Sequence, residues 1–65
     1  MDYEYKELKP YKGYDVYRSD RVRTDILGRH IVYTVYLVAD NDDFIGTEYQ
    51  TIKEAHRFID YLSKK

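Results

Sequence analysis

One stretch restricts the fold more than any other. Ile31-Val32-Tyr33-Thr34-Val35-Tyr36-Leu37-Val38-Ala39 is an unbroken series of β-branched, aromatic and aliphatic residues, and Asp40-Asn41-Asp42-Asp43 follows it at once. Such a run, bounded by turn chemistry, predicts a strand rather than a helix. Successive side chains alternate across a pleated strand, so Ile31, Tyr33, Val35, Leu37 and Ala39 share one face and Val32, Thr34, Tyr36 and Val38 the other. Both faces are apolar, which places this strand inside a sheet.

The flanking segments supply its neighbours. Residues 1–11 alternate loosely (Tyr3 and Tyr5 against Glu4 and Lys6) and reach Pro10, which lacks a donor, so they are expected to form an extended arm or an edge strand. Gly13 opens Tyr14-Asp15-Val16-Tyr17-Arg18-Ser19, a strand that continues in alternation through Arg23. The run Thr24-Asp25-Ile26-Leu27-Gly28 is a turn, with Gly28 free to take positive φ. Phe44-Ile45-Gly46-Thr47-Glu48-Tyr49 predicts a third strand. Thr51-Ile52-Lys53-Glu54 has the spacing of a capping box. After it Ile52, Ala55, Ile59 and Leu62, with Phe58 beside them, recur at helical intervals.

These elements predict an α+β domain over residues 12–65. Its antiparallel sheet has three strands, or four if the arm pairs, and one C-terminal helix crosses one face. The helix is expected to meet Tyr33, Val35 and Leu37, with Tyr14, Val16, Ile45 and Tyr49 completing the layer. Nine strand residues span ~30 Å at about 3.3 Å each, whereas the helix from Ile52 to Leu62 spans only ~16 Å at about 1.5 Å each. The helix therefore cannot cover the sheet. Tyr17, Val32, Thr34, Tyr36, Val38 and Phe44 are expected on the open face, unless the arm covers them.

Composition narrows the functions. A 65-residue chain without cysteine has a small core, on the order of 3–5 kcal/mol of stability, unless a partner or a second copy adds to it. A net charge of −1 is not the footprint of a protein that binds nucleic acid chiefly by neutralising phosphates. The Asp40–Asp43 cluster does not follow the calcium-loop pattern, since Ile45 stands where glycine is needed and Thr51 where the bidentate glutamate belongs. There is no glycine-rich phosphate loop and no serine in a nucleophile elbow. His30 and His56 stand at no ligand spacing. A non-enzymatic protein with no metal, cofactor or small-molecule substrate is expected. No apolar run approaches a membrane span, and a cytoplasmic location is expected.

Nine tyrosines in 65 residues suit a binding surface as well as a small core. Tyr17, Thr34, Tyr36 and Phe44 on the open face, with Asp40, Asp42 and Asp43 beside them, are the candidate protein-binding residues. The expected role is a protein-binding module of the kind that phages and mobile elements encode. It would inhibit or modulate a host protein or protein–nucleic-acid complex, in the manner of anti-CRISPR proteins, its acidic turn opposing a basic surface. Arg18, Arg21, Arg23 and Arg29 on the first hairpin are the candidates for an alternative contact with DNA. Homodimerisation is compatible with either.

Gly46-Thr47, Thr51 and Glu54-Ala55 resemble the closing motif of Apetala-type DNA-binding domains and of the arm-binding domains of tyrosine-recombinase integrases. Gly13-Tyr14 and Tyr17-Arg18 are similar to the first strand of an integrase arm domain. The resemblance spans residues 12–65 in topology and implies a three-strand-plus-helix fold that binds DNA through its sheet. Two departures stand out. The gap from Gly46 to Glu54-Ala55 is one residue longer than the usual pattern, which suggests a bulge. The exposed face also offers Tyr, Val, Thr, Asp and Phe where those families use Arg, Lys and Trp, so of their binding residues only Arg18 carries over.

Overall fold

The computed structural model describes residues 4–64. Its elements are β1 (Lys6–Glu7), β2 (Asp15–Thr24), β3 (His30–Asp40), β4 (Asp43–Tyr49) and α1 (Ile52–Ser63), and the strands form one antiparallel sheet in the order β1-β2-β3-β4. The α+β architecture is as expected, and part of the arm supplies the fourth strand. Residues 1–3, including Tyr3, and Lys65 lie outside the described residues.

Tight turns set the register. Asn41 (φ 51°) and Asp42 (φ 69°) form the two-residue loop between β3 and β4, both at the positive φ of a type I′ turn. Lys12 (φ 50°) and Gly13 (φ 85°) do the same between Tyr11 and Tyr14, whose backbones exchange two hydrogen bonds of 2.9 and 3.0 Å. Between β2 and β3, the Gly28 N–H donates to the Asp25 carbonyl at 3.0 Å and Gly28 takes φ 79°, a three-residue loop closed by a left-handed glycine.

The β2–β3 ladder pairs Val16 with Val38 and Arg18 with Tyr36. Val16 and Val38 form the buried cluster with Ala55 and Ile59 of α1, and Leu8, Tyr11, Tyr14, Tyr36, Ile45, Tyr49 and Phe58 pack around it. The expected face of β3 is thus corrected: Val38 and Tyr36 lie under the helix, and Tyr33, Val35 and Leu37 point away from it. The two-residue turn forces this choice, because Asp40 opposite Asp43 puts Val38 opposite Ile45. Ile52, expected in the core, is exposed, while Phe58 stacks on Tyr49 with ring centroids 5.6 Å apart.

Opposite β3, four residue steps from Ile45 to Tyr49 match two from Val38 to Tyr36, so β4 bulges at Gly46–Glu48. Gly46 (φ 75°) sits in the bulge against the Phe58 ring.

Helix α1 starts as expected, with the Glu54 N–H donating to Thr51 Oγ1 at 3.2 Å. Its far end is tied to the first turn. The Tyr11 hydroxyl donates to Asp60 Oδ1 at 2.9 Å, Lys12 Nζ lies 2.7 Å from the same oxygen, and the Tyr11 ring stacks on His56 at 3.9 Å. His56 is therefore a packing residue at the edge of the helix. These contacts gather α1 over one end of the sheet, and the distal β2–β3 hairpin extends beyond it.

Candidate protein-binding site

The face away from the helix carries Glu7, Asp15, Tyr17, Ser19 and Arg21 on one side of β3 and Phe44 on the other, by the ladder parity. Ser19, Val35, Leu37 and Ala39 are buried there although no helix covers them. Tyr5 is the described arm residue that reaches over this ground. Its ring lies 5.3 Å from that of Phe44 on the far strand, and Phe44 meets Tyr17 edge-on at 5.6 Å. Arg21 braces the arm, donating through Nη2 to the Tyr5 hydroxyl at 3.4 Å and through Nη1 to Glu48 Oε2 at 2.7 Å. The middle of the expected open face is therefore covered by the chain itself.

The end beside the β3–β4 turn stays accessible, as does Tyr33 at the distal end of the same face. Phe44 keeps 50% of its surface and Tyr5 43%. Carboxylates surround these rings: partial burial raises the Tyr17 phenol above its ordinary value, and the charges of Glu7, Asp15 and Asp42 raise it further. Asp40 and Asp43 stand directly opposite each other on the ladder, a like-charge pair that costs stability. The arrangement offers apolar faces for a hydrophobic or cationic group and negative charges around them.

Of the sequence-chosen residues, Tyr17, Phe44 and Asp42 come together here, while Asp40 and Asp43 stand at the same end of the sheet but on its helix side, in ladder parity with Val38 and Ile45. Thr34 and Tyr36 do not: they lie on the helix side, where Tyr36 packs on the core and Thr34 donates to Asp20 Oδ1 at 2.7 Å. Tyr5, Glu7 and Asp15 join the site and were not chosen. Only the pairing of Glu7 with Tyr17 brings Glu7 here and carries Tyr5 over the same face, and no local pattern in the arm sets that register.

The four arginines do not converge. Arg18 lies on the helix side, 3.6 Å from Asp20, and Arg21 lies on the other, bound to Glu48. Arg23 rests over the Tyr33 ring at 5.8 Å. Arg29 is held in the turn by Asp25 Oδ2 at 2.7 Å. That carboxylate also accepts the Leu27 and Arg29 N–H groups at 2.9 and 2.8 Å, and these donors hold Asp25 below the usual aspartate range.

Among the described residues there is no group of side chains that could hold a metal ion, and no helix is long and apolar enough to cross a membrane. Set against known family models, characterised proteins and solved structures, the chain matches none of them, so the similarity to Apetala-type and integrase arm domains gains nothing from these comparisons.

Proposed function

We propose that this protein is a non-enzymatic protein-binding module that engages a basic partner through the acidic, aromatic end of its sheet. The observation that carries the reading is the aromatic trio Tyr5, Phe44 and Tyr17 set among Glu7, Asp15 and Asp42. Half-exposed aromatic anchors supply contact area, and the surrounding charge steers an arginine- or lysine-bearing surface and selects against acidic ones. A basic surface used to grip nucleic acid has the chemistry to fit, which keeps interference with a host protein–nucleic-acid complex within the same proposal. The alternative of direct DNA contact draws less support, because Arg18, Arg21 and Arg29 are each beside a carboxylate and Arg18 and Arg21 point to opposite sides.

The test uses a labelled arginine-rich peptide and fluorescence anisotropy. Binding is expected to weaken as salt rises. Phe44→Ala, which leaves net charge unchanged, should lower affinity by about 5- to 30-fold, the loss of an anchor contributing roughly 1–2 kcal/mol. Asp42→Asn should lower it as well. Equal affinity for the protein and for Phe44→Ala would reduce the interaction to bulk charge and overturn the site.

A further inference from the structure

We propose that two copies of this chain associate through the free edge of β3, antiparallel and centred on Ile31. Strand β4 pairs with β3 only from Tyr36 to Asp40, so His30–Val35 has no described strand on that side. The outward-pointing groups can be assigned. The Asp25 N–H donates to the Arg29 carbonyl at 2.9 Å, and the alternation of an antiparallel ladder then turns Ile31, Tyr33 and Val35 toward β2. The N–H and C=O groups of His30, Val32 and Thr34 point outward, in phase with Tyr36, Val38 and Asp40, the positions that pair with β4.

The two edges of this hairpin differ in charge. Strand β2 beyond Arg18 is also without a described neighbour, and its edge carries Asp20, Arg21 and Arg23. Paired with itself about Val22, that edge would set Arg21 against Arg23, like charges directly opposed. Such residues are what keeps an edge strand from pairing. The β3 edge has no charge, proline or bulge from His30 to Val35. A second copy brings the same neutral strand, so self-pairing opposes no charges.

The chain's own body selects the register. Centring on Val32 would bring Gly28 of the second copy level with Tyr36, where Tyr49 already pairs. Centring on Ile31 stops the turn short of β4. It pairs His30 of each copy with Val32 of the other through outward backbone groups, and places Ile31 opposite Ile31 in a position without hydrogen bonds. Val32 and Val22, now 69% and 51% exposed on neighbouring strands, then lie in a continuous four-stranded surface, and Ile26 and Leu27, 99% and 72% exposed, are carried toward the second copy's β4–α1 junction. For a core this small, association adds stability that the monomer lacks.

Sedimentation velocity tests this on the full chain, with twice the 7.9 kDa chain mass expected. In such a site two Cα atoms approach to roughly 4.5 Å, within disulfide range. The chain has no cysteine of its own, so Ile31→Cys should oxidise to a covalent dimer while Val22→Cys stays monomeric. Val32→Pro removes one outward N–H and no bond to β2, and should give a monomer with an unchanged far-UV circular dichroism spectrum. If proline disturbs the strand, Val32→Lys serves, since it adds only edge charge. The proposal is overturned if the protein sediments as a monomer at high concentration, if Val32→Lys dimerises like the parent, or if both cysteine variants cross-link alike. Each of these results would leave the acidic, aromatic site standing, because Phe44 and Asp42 lie at the other end of β3.

Discussion

Gly46→Ala is the substitution whose cost can be worked most fully from the structure. At φ 75° the residue is in the left-handed region, where a Cβ costs about 1–2 kcal/mol. The new Cβ would also lie 2.8 Å from Phe58 Cε2, 2.9 Å from Phe58 Cζ and 3.0 Å from the Tyr49 hydroxyl. Phe58 is hemmed in by the Tyr49 ring and by the Ile59 cluster, so relief requires moving a packed aromatic, an overpacking term of roughly 1–3 kcal/mol. Together these give a loss of about 2–5 kcal/mol, comparable to the whole stability of a domain this size. Gly13→Ala is the matched control: its φ is 85°, and nothing lies within 4 Å of its Cβ position, so only the backbone cost applies. Urea unfolding followed by circular dichroism measures both, and a lower midpoint at constant slope reports stability. If Gly46→Ala costs no more than Gly13→Ala, the packing of Phe58 over the bulge is wrong.

Ile59→Ala removes a fully buried side chain and should cost about 2–5 kcal/mol, enough to leave much of the protein unfolded at 25 °C in a thermal melt. Asp43→Lys turns the like-charge pair with Asp40 into an attractive one; it should raise stability by roughly 0.2–1 kcal/mol and weaken binding of a basic peptide, two readouts moving in opposite directions. Acid should weaken the docking of α1. Hydrogen bonds from Lys12 and Tyr11 hold Asp60 below its ordinary 3.8, so this stability is present above that value and lost as pH falls through the lower folded one. At the alkaline end, the hydrogen bond to Asp60 raises Tyr11 above 10.0 and Lys12 above 10.5, and the stability they contribute is lost only as pH climbs through those raised values. A pH series of urea midpoints on Asp60→Asn should show both limbs flattened relative to the parent.

The existence and order of the three long strands and the helix were legible because each carries its own signal. The central apolar run, the Gly28 turn, the acidic turn and the Thr51 cap all behave as local chemistry requires. The face of β3 was not legible from β3, since an apolar residue occupies each side and period alone is silent there. The answer lay in the Asn41-Asp42 turn, whose two-residue length ties Val38 to Ile45 and, through β2, to Val16. The helix is too short to span the sheet, as its residue count requires, and most of the apolar ground left uncovered is on the distal hairpin, at Val22, Ile26, Leu27 and Val32. Tyr5 was the main omission at the site. Its place over Phe44 depends on a pairing of only two residues, Lys6 and Glu7 with Arg18 and Tyr17, which no periodicity announces. The arginines looked like a cluster because strand neighbours are close in sequence, although alternation sends them to opposite faces.

The most direct test of the site is a two-dimensional amide and aromatic NMR titration of the protein with an arginine-rich peptide. Shifts confined to Tyr5, Tyr17, Asp42 and Phe44 and reversed by salt are the predicted result. Shifts that spread over every acidic residue, or that centre on the β2–β3 hairpin, would contradict it.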